Sequence, residues 1–330
     1  MTEVNIWMIA GFLLAAYSVV ANDSLQTLGT YISSNRKRTP KTVQMIFICS
    51  ITIVALMLGW FVNSGEPSWG RLERFPLPEP FTWVYIIPPI AVLLLTYWGA
   101  PVSTSFLVLS TFVPGNISEL LQSSLAGYFL AFFLGLGVWG LGMWLLERWV
   151  FRSAQAGNDF NRVWYGLQWC STGFLWSMWL VQDLANIFAF LPRSLELFPM
   201  VICTLILCLG LCVLVAIGGG PIQGVLRSKT NTSDLRSATV IDFMFGLCLL
   251  YRGFMDNFPL STTWVFLGLL AGREIALRIK EQEFEYFFTN RSAGNLGNII
   301  GSDLWKAFVG LVVSLVIAIG IQPLIAWTAG

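Results

Sequence analysis

The sequence contains no histidine among its 330 residues. This removes the Ser-His and Cys-His pairs that usually activate a serine or cysteine nucleophile. The six cysteines lie in apolar stretches, and none of their spacings is typical of a zinc site. We therefore predict that the protein is not an enzyme and that it has no cofactor.

Charged residues are also scarce, because they make up 11% of the chain while hydrophobic residues make up 56%. A soluble globular protein carries roughly 25% charged residues, so this composition predicts an integral membrane protein in contact with lipid. The net charge of +1 argues against a nucleic-acid partner. The first 20 residues, MTEVNIWMIAGFLLAAYSVV, have no basic region and no small-residue cleavage site. We expect them to form a first membrane segment and not a removed signal.

Ten apolar blocks follow one another along the chain. They span about 5–33, 43–62, 82–98, 101–114 and 123–147, and then 163–192, 196–217, 238–256, 262–277 and 304–328. A spanning helix needs ~20 apolar residues, and the blocks at 82–98, 101–114 and 262–277 fall short of that length. Short paired segments that flank a proline turn are typical of re-entrant hairpins, which need protein or a polar cavity around them.

The charges of the loops predict the orientation of these blocks. Basic residues are concentrated at 33–41, at 148–162, at 227–236 and after Gly272, whereas the loop at 63–80 mixes both signs. By the positive-inside rule the four basic regions are cytoplasmic, which places the N-terminus outside and inverts the second half relative to the first.

We therefore predict an all-α polytopic membrane protein built from two inverted five-segment repeats, with broken helices and re-entrant hairpins. The first repeat covers 1–150, a cytoplasmic linker covers 151–162, and the second repeat covers 163–330. We expect a multi-pass protein of a bacterial inner (plasma) membrane.

Two acidic motifs occupy corresponding places in the two halves, "ANDSLQTLGT" at 21–30 and "VQDLANIFAF" at 181–190. In each, an amide precedes an aspartate and a second amide follows three positions later: Asn22, Asp23 and Gln26, and Gln182, Asp183 and Asn186. An aspartate in an apolar block costs at least ~2.5 kcal/mol on insertion scales. Carboxylate and amide oxygens suit a small hard cation, so we predict sodium sites at Asp23 and Asp183, with a proton or a structural salt bridge as alternatives.

Two hydroxyl triplets follow prolines, in "GAPVSTSFLV" at 99–108 and "NFPLSTTWVF" at 257–266. The aspartate-to-triplet interval is 103 − 23 = 80 positions in the first half and 261 − 183 = 78 in the second. Proline before such residues is a helix-start signature, and the N–H groups of a helix start bind anions. The predicted anion-binding residues are Ser103, Thr104, Ser105, Ser261, Thr262 and Thr263. Alternatively, these hydroxyls only bond to carbonyls of the preceding turn.

The four motifs resemble those of the PiT (inorganic phosphate transporter) family, whose repeats carry a "GANDVANAxGT"-type motif followed by "PVSTTH". "ANDSLQTLGT" and "QDLANIFAFLP" are similar to the first motif, and "PVSTSF" and "PLSTTW" to the second. The resemblance implies a cation-coupled symporter of an inorganic oxyanion that forms a homodimer. It implies that the acidic motifs bind sodium, the coupling ion, and that the triplets bind phosphate between the halves.

The chain departs from this family pattern at several positions. The family's histidine after each triplet is Phe106 or Trp264 here, and Gln26 and Gln182 stand where the family has asparagine. These changes leave sulfate or bicarbonate open as alternatives to phosphate. A non-transporting sensor or scaffold subunit is a further alternative, whereas two buried acids argue against a passive anion channel.

Overall fold

The structure, a computed structural model, describes the protein as a series of α-helices. It describes residues 4–98, 102–113, 115, 117–142, 161–219, 235–255, 261–288 and 296–329. Pro101, Pro259 and residues 151–160 of the predicted linker lie outside these ranges.

Ten α-helices form within the described ranges. They are α1 (Ile6–Asn35), α2 (Lys41–Val62), α3 (Ile87–Tyr97), α4 (Thr104–Phe112), α5 (Ile117–Gly137), α6 (Asn161–Phe188), α7 (Leu197–Ile217), α8 (Leu235–Met255), α9 (Thr262–Phe288) and α10 (Leu296–Ala329). A 3₁₀ turn, Trp83–Ile86, precedes α3, and a π-helical turn, Val138–Gly142, continues α5. Each apolar block of the sequence overlaps one helix of the described ranges, which confirms the all-α fold class.

Several helices are long and apolar enough to cross a membrane. In the described part of the chain these are five segments: Ile6–Asn35, Lys41–Val62, Ile117–Gly142, Leu197–Ile217 and Phe308–Thr328. Their outward faces carry large apolar side chains, such as Leu205 and Leu209 on α7, which are 62% and 66% exposed. Such faces need lipid around them, and the protein is therefore an integral, multi-pass membrane protein.

The short segments are only partly as predicted. Helices α3 and α4 have 11 and 9 residues, as the short apolar blocks require. The prediction of a short segment at 262–277 is wrong, because α9 has 27 residues and extends to Phe288. The apolar run ends before the helix does, since "RIKEQEFEYFF" at 278–288 contains the strong helix formers Arg, Lys, Glu and Gln.

The corresponding helices of the two halves pack antiparallel. Near the start of α1, the ring of Phe12 lies 5.8 Å from that of Phe188 at the end of α6. At the other end of the pair, the Asn35 amide donates to the Gln168 side chain at 2.8 Å. In the same way, Trp60 at the end of α2 donates to the carbonyl of Leu195, just before α7, at 2.8 Å.

Glycines allow α5 and α9 to approach closely. A Cβ atom on Gly268 would collide with the backbone carbonyl of Tyr128, and one on Gly272 with that of Phe132. Gly135 of α5 meets the backbone of Leu269 in return. Because α9 begins at Thr262, this contact fixes the position of the second hydroxyl triplet.

Candidate functional site

The predicted site residues gather among four helices, α1, α4, α6 and α9. Each of them is buried, from 0% exposed for Asn22 and Asp183 to 6% for Ser103. The acidic motifs lie inside α1 and α6, whereas the triplets lie at the starts of α4 and α9. Neither triplet faces lipid, and side-chain hydrogen bonds join the two halves at this place.

The first acidic motif is organised around the Asp23 carboxylate. Its Oδ1 atom accepts from Asn22 Nδ2 at 2.8 Å and lies 3.5 Å from Gln26 Nε2. The Thr263 hydroxyl approaches the same oxygen to 3.3 Å from the other half of the chain. The two predicted amides therefore bind their own aspartate, and a third donor comes from α9.

The second acidic motif is organised around the Asp183 carboxylate. Asn186 Nδ2 and the Ser105 hydroxyl donate to Oδ1 at 2.9 and 3.2 Å, and the Thr262 hydroxyl donates to Oδ2 at 2.7 Å. Gln182 behaves differently from its counterpart, because its Nε2 donates to the carbonyl of Leu249 at 3.2 Å. The sequence correspondence thus holds for the later amides of the motifs, and fails for the earlier ones.

The three positions of each triplet have matching roles. The first, Ser103 or Ser261, caps its helix by accepting from the backbone N–H three residues on, at 3.2 and 3.3 Å. The second contacts the acidic motif of its own half: Thr104 lies 3.5 Å from Asn22 Nδ2, and Thr262 bonds to Asp183. The third, Ser105 or Thr263, reaches the aspartate of the opposite half.

Acceptor oxygens at this site exceed the donors. Within the described ranges, five buried oxygens of the acidic motifs accept no hydrogen bond: Asn22 Oδ1, Asp23 Oδ2, Gln26 Oε1, Gln182 Oε1 and Asn186 Oδ1. The Asp23 and Asp183 carboxylates are also close enough to repel each other. A buried polar atom without a partner is costly. Unpartnered oxygens beside two carboxylates are the donor set that a small hard cation prefers.

The helix starts supply the opposite kind of group. The first N–H groups of a helix have no acceptor inside that helix, and the serine cap of α4 takes only that of Phe106. The positive end of the helix dipole and the neighbouring hydroxyls add to these donors, which suits an anion. Groups that suit a cation and groups that suit an anion therefore lie together in one buried place.

Sequence reasoning missed two buried charged residues close to this site. Asp242 on α8 is 0% exposed and accepts from the hydroxyls of Thr30 and Thr172, each at 2.5 Å. An acid inside the apolar block 238–256 was the available signal. Arg71, between α2 and α3, was assigned to an exterior loop but is only 7% exposed.

The charge of Arg71 interacts with that of Asp183. Burial lowers the pKa of Arg71 to about 10, and attraction to Asp183 opposes this shift. The guanidinium therefore carries its charge at neutral pH. No motif in the sequence links these two residues, because the attraction between their charges depends on the path of the segment after α2.

Fold and residues together describe an all-α, multi-pass membrane protein with a buried polar cluster between its two halves. Its fold is similar to that of a solved structure, "The sodium-dependent phosphate transporter", with a TM-score of 0.62 and 15% sequence identity. The similarity covers 99% of this chain and 99% of that chain. At this identity the likeness shows a common fold. No family model matches the sequence, and no curated protein does.

Proposed function

We propose that the protein is a symporter that couples the entry of an inorganic oxyanion, most simply phosphate, to sodium. The observation that carries the proposal is the exchange of contacts between the halves, in which Ser105 bonds to Asp183 and Thr263 to Asp23. These contacts bring two anion-binding helix starts against two cation-binding motifs. The fold neighbour, a sodium-dependent phosphate transporter, supports the same function.

The geometry supplies a physical reason for coupling. Without a cation, the Asp183 carboxylate engages the hydroxyls of Ser105 and Thr262, and its charge repels an incoming anion. A sodium ion beside each aspartate, held also by the amide oxygens, neutralises this charge. The hydroxyls are then free to donate to the oxyanion together with the N–H groups of the helix starts. Anion binding thus requires prior cation binding.

The antiparallel packing of α1 with α6 supports the two predicted inverted repeats, 1–150 and 163–330. The predicted orientation in the membrane is also supported by a contact in the structure. The Asn5 side chain donates to the carbonyl of Phe81 at 2.9 Å, so the start of α1 lies beside the mixed-charge loop. The basic loop at 33–41 lies at the opposite end of α1. We therefore propose that the N-terminus is outside and that transport runs across a bacterial inner membrane; a homodimer is part of the proposal.

The identity of the anion is the more open part of the proposal. The residues that follow the triplets are aromatic: Phe106 is 1% exposed, and the ring of Trp264 lies 5.8 Å from that of Tyr128. Phe106 has no hydrogen-bonding group, and the indole N–H of Trp264 can only donate, whereas a histidine can also accept or carry a charge. Sulfate and bicarbonate therefore remain candidates beside phosphate, and a sensor or scaffold subunit remains the alternative to transport.

Transport by purified protein in liposomes tests the proposal directly. Uptake of radiolabelled phosphate, sulfate and bicarbonate is measured with an inward gradient of sodium, of protons or of neither. We expect phosphate uptake that needs the sodium gradient and is abolished in Asp183→Asn. Uptake driven by a proton gradient alone would show that the coupling ion is the proton and not sodium. Sodium-dependent binding without uptake of any of the anions would favour a sensor, and neither binding nor uptake would contradict the proposal.

A further inference from the structure

Arg71 is a buried cation with two donor atoms that have no partner among the described residues. Its side chain is 7% exposed. In the part of the chain that the structure describes, its Nε and Nη1 atoms are buried and have no hydrogen-bond partner. Burying a charge without hydrogen bonds is expensive. Such a group is expected where a ligand completes its contacts.

The turn that carries Arg71 is well defined. The Glu66 carboxylate accepts from the backbone N–H groups of Ser68 and Gly70, at 2.9 and 2.6 Å. Trp69 and Gly70 adopt left-handed backbone conformations, with φ of 60° and 74°. The chain therefore turns back on itself, and the N–H of Arg71 donates to the carbonyl of Ser68 at 3.2 Å. The position of Arg71 thus follows from a closed network of local bonds.

The same segment is fastened to the end of α6. Arg193 donates to the carbonyl of Phe75 from Nε and Nη2, at 3.1 and 2.6 Å. The N–H of Leu195 donates to the carbonyl of Gly65 at 3.0 Å. These bonds hold the segment against the helix that carries Asp183, and the charges of Arg71 and Asp183 attract each other.

Arg71 is not needed to satisfy the Asp183 carboxylate, whose two oxygens already accept from Ser105, Thr262 and Asn186. A guanidinium is a planar fork of donors that matches two oxygens of an oxyanion. From these observations we propose that Arg71 is a direct, charged ligand of the transported oxyanion. It approaches from the segment between α2 and α3, while the helix starts of α4 and α9 bind the other oxygens. This inference rests on the proposed function.

The test measures phosphate binding to the purified full-length protein by titration calorimetry, in saturating sodium. Arg71→Gln removes the charge, and Arg71→Lys keeps it without the fork. Arg74→Gln, an exposed position of the same segment, is the matched control. We expect phosphate Kd to rise roughly 10- to 100-fold in Arg71→Gln, as for loss of a charged hydrogen bond. Arg71→Lys should be intermediate, and the control should match the wild type.

The thermal stabilisation of the protein by sodium alone shows whether Arg71 is a ligand of the anion or a structural counter-ion of Asp183. It should be unchanged in Arg71→Gln, and its loss would overturn the assignment, as would a wild-type phosphate Kd. Where Arg71→Gln does not fold, Arg71→Lys decides: a Kd at least roughly fivefold weaker is expected from loss of the fork, and an unchanged Kd refutes the inference. Failure of the wild type itself to bind phosphate, sulfate or bicarbonate would remove the proposed function, and this inference with it.

Discussion

The hydroxyl of Thr263 lies 3.3 Å from the carboxylate of Asp23, although 240 positions separate the two residues. The same hydroxyl donates to the carbonyl of Val102 at 2.9 Å, immediately before the other triplet. One side chain of α9 therefore joins the acidic motif of α1 to the start of α4. In the proposed function, a change in the charge at Asp23 on sodium binding would act on both helix starts through this hydroxyl.

The Thr263 hydroxyl provides the first prediction. Thr263→Val keeps the shape of the side chain and removes its bonds, so phosphate binding in saturating sodium should weaken roughly 2- to 10-fold, the usual net value of one hydrogen bond. Thr204→Val on α7 is the control, because Thr204 is also buried and bonds only to the preceding turn, at Met200, at 2.9 Å. Titration calorimetry should show weaker binding for the first variant alone. If both variants bind phosphate with the same affinity, the Thr263 hydroxyl does not contribute to anion binding.

The two aspartates should be required for sodium binding, since each supplies the charge of a cation site. At a hundredfold excess over its Kd, sodium at one site should stabilise the wild type by ~2.7 kcal/mol. Asp23→Asn and Asp183→Asn should each lose the contribution of one site in thermal unfolding followed across a sodium titration. Asp242→Asn should retain the full stabilisation, because Asp242 is an equally buried acid that lies outside the two acidic motifs and is bonded to Thr30 and Thr172. Full sodium stabilisation in both site variants would refute the cation sites.

The contact between α5 and α9 should be sensitive to a single methyl group. Gly272→Ala places a Cβ against the backbone carbonyl of Phe132, which cannot move without the helix. Overpacking of this kind typically costs 1–3 kcal/mol, so the thermal midpoint should fall. Gly166→Ala on α6 is the control, because its Cβ would meet nothing within 4 Å in the described structure. Helix propensity alone would raise the midpoint in both variants, because alanine is a better helix former than glycine. A fall of equal size in both variants would therefore contradict the assignment of the loss to this contact.

Arg193 should control the order of the segment between α2 and α3. Arg193→Gln removes the bonds to the carbonyl of Phe75, as well as those to Ala189 at 3.1 Å and Leu191 at 2.8 Å. We expect faster amide hydrogen exchange in peptides from 63–82 and little change in α2. Arg162→Gln, at an exposed arginine near the start of α6, should leave both regions as in the wild type. Unchanged exchange at 63–82 in Arg193→Gln would mean that other contacts hold the segment.

The sequence predicted the helices well, because a long apolar run in a charge-poor chain has few alternatives to a membrane helix. The blocks at 43–62 and 196–217 fall within two residues of α2 and α7. The exception is α9, whose second part is charged. In that part of α9, the apolar content of the sequence did not predict the end of the helix, whereas helix propensity would have done so.

Site residues could be selected from the sequence because polar groups in apolar blocks are costly and therefore conspicuous. The same rule would have selected Asp242, but not its hydroxyl partners, of which Thr30 is 212 positions away. Arg71 could not be selected, since an arginine in a mixed-charge loop has the same local sequence whether it is solvated or buried.

The sequence by itself determined that this is a helical membrane protein and that each half carries an acid motif and a hydroxyl triplet. Those properties are local, since they depend on hydrophobicity and on residues within one turn of each other. Only the tertiary structure decided that each triplet reaches the aspartate of the other half, and that Arg71 is buried with its charge attracted to that of Asp183. Such contacts depend on how distant helices pack, and packing is decided by shape and close approach, as at Gly268 and Gly272, over the whole length of the chain.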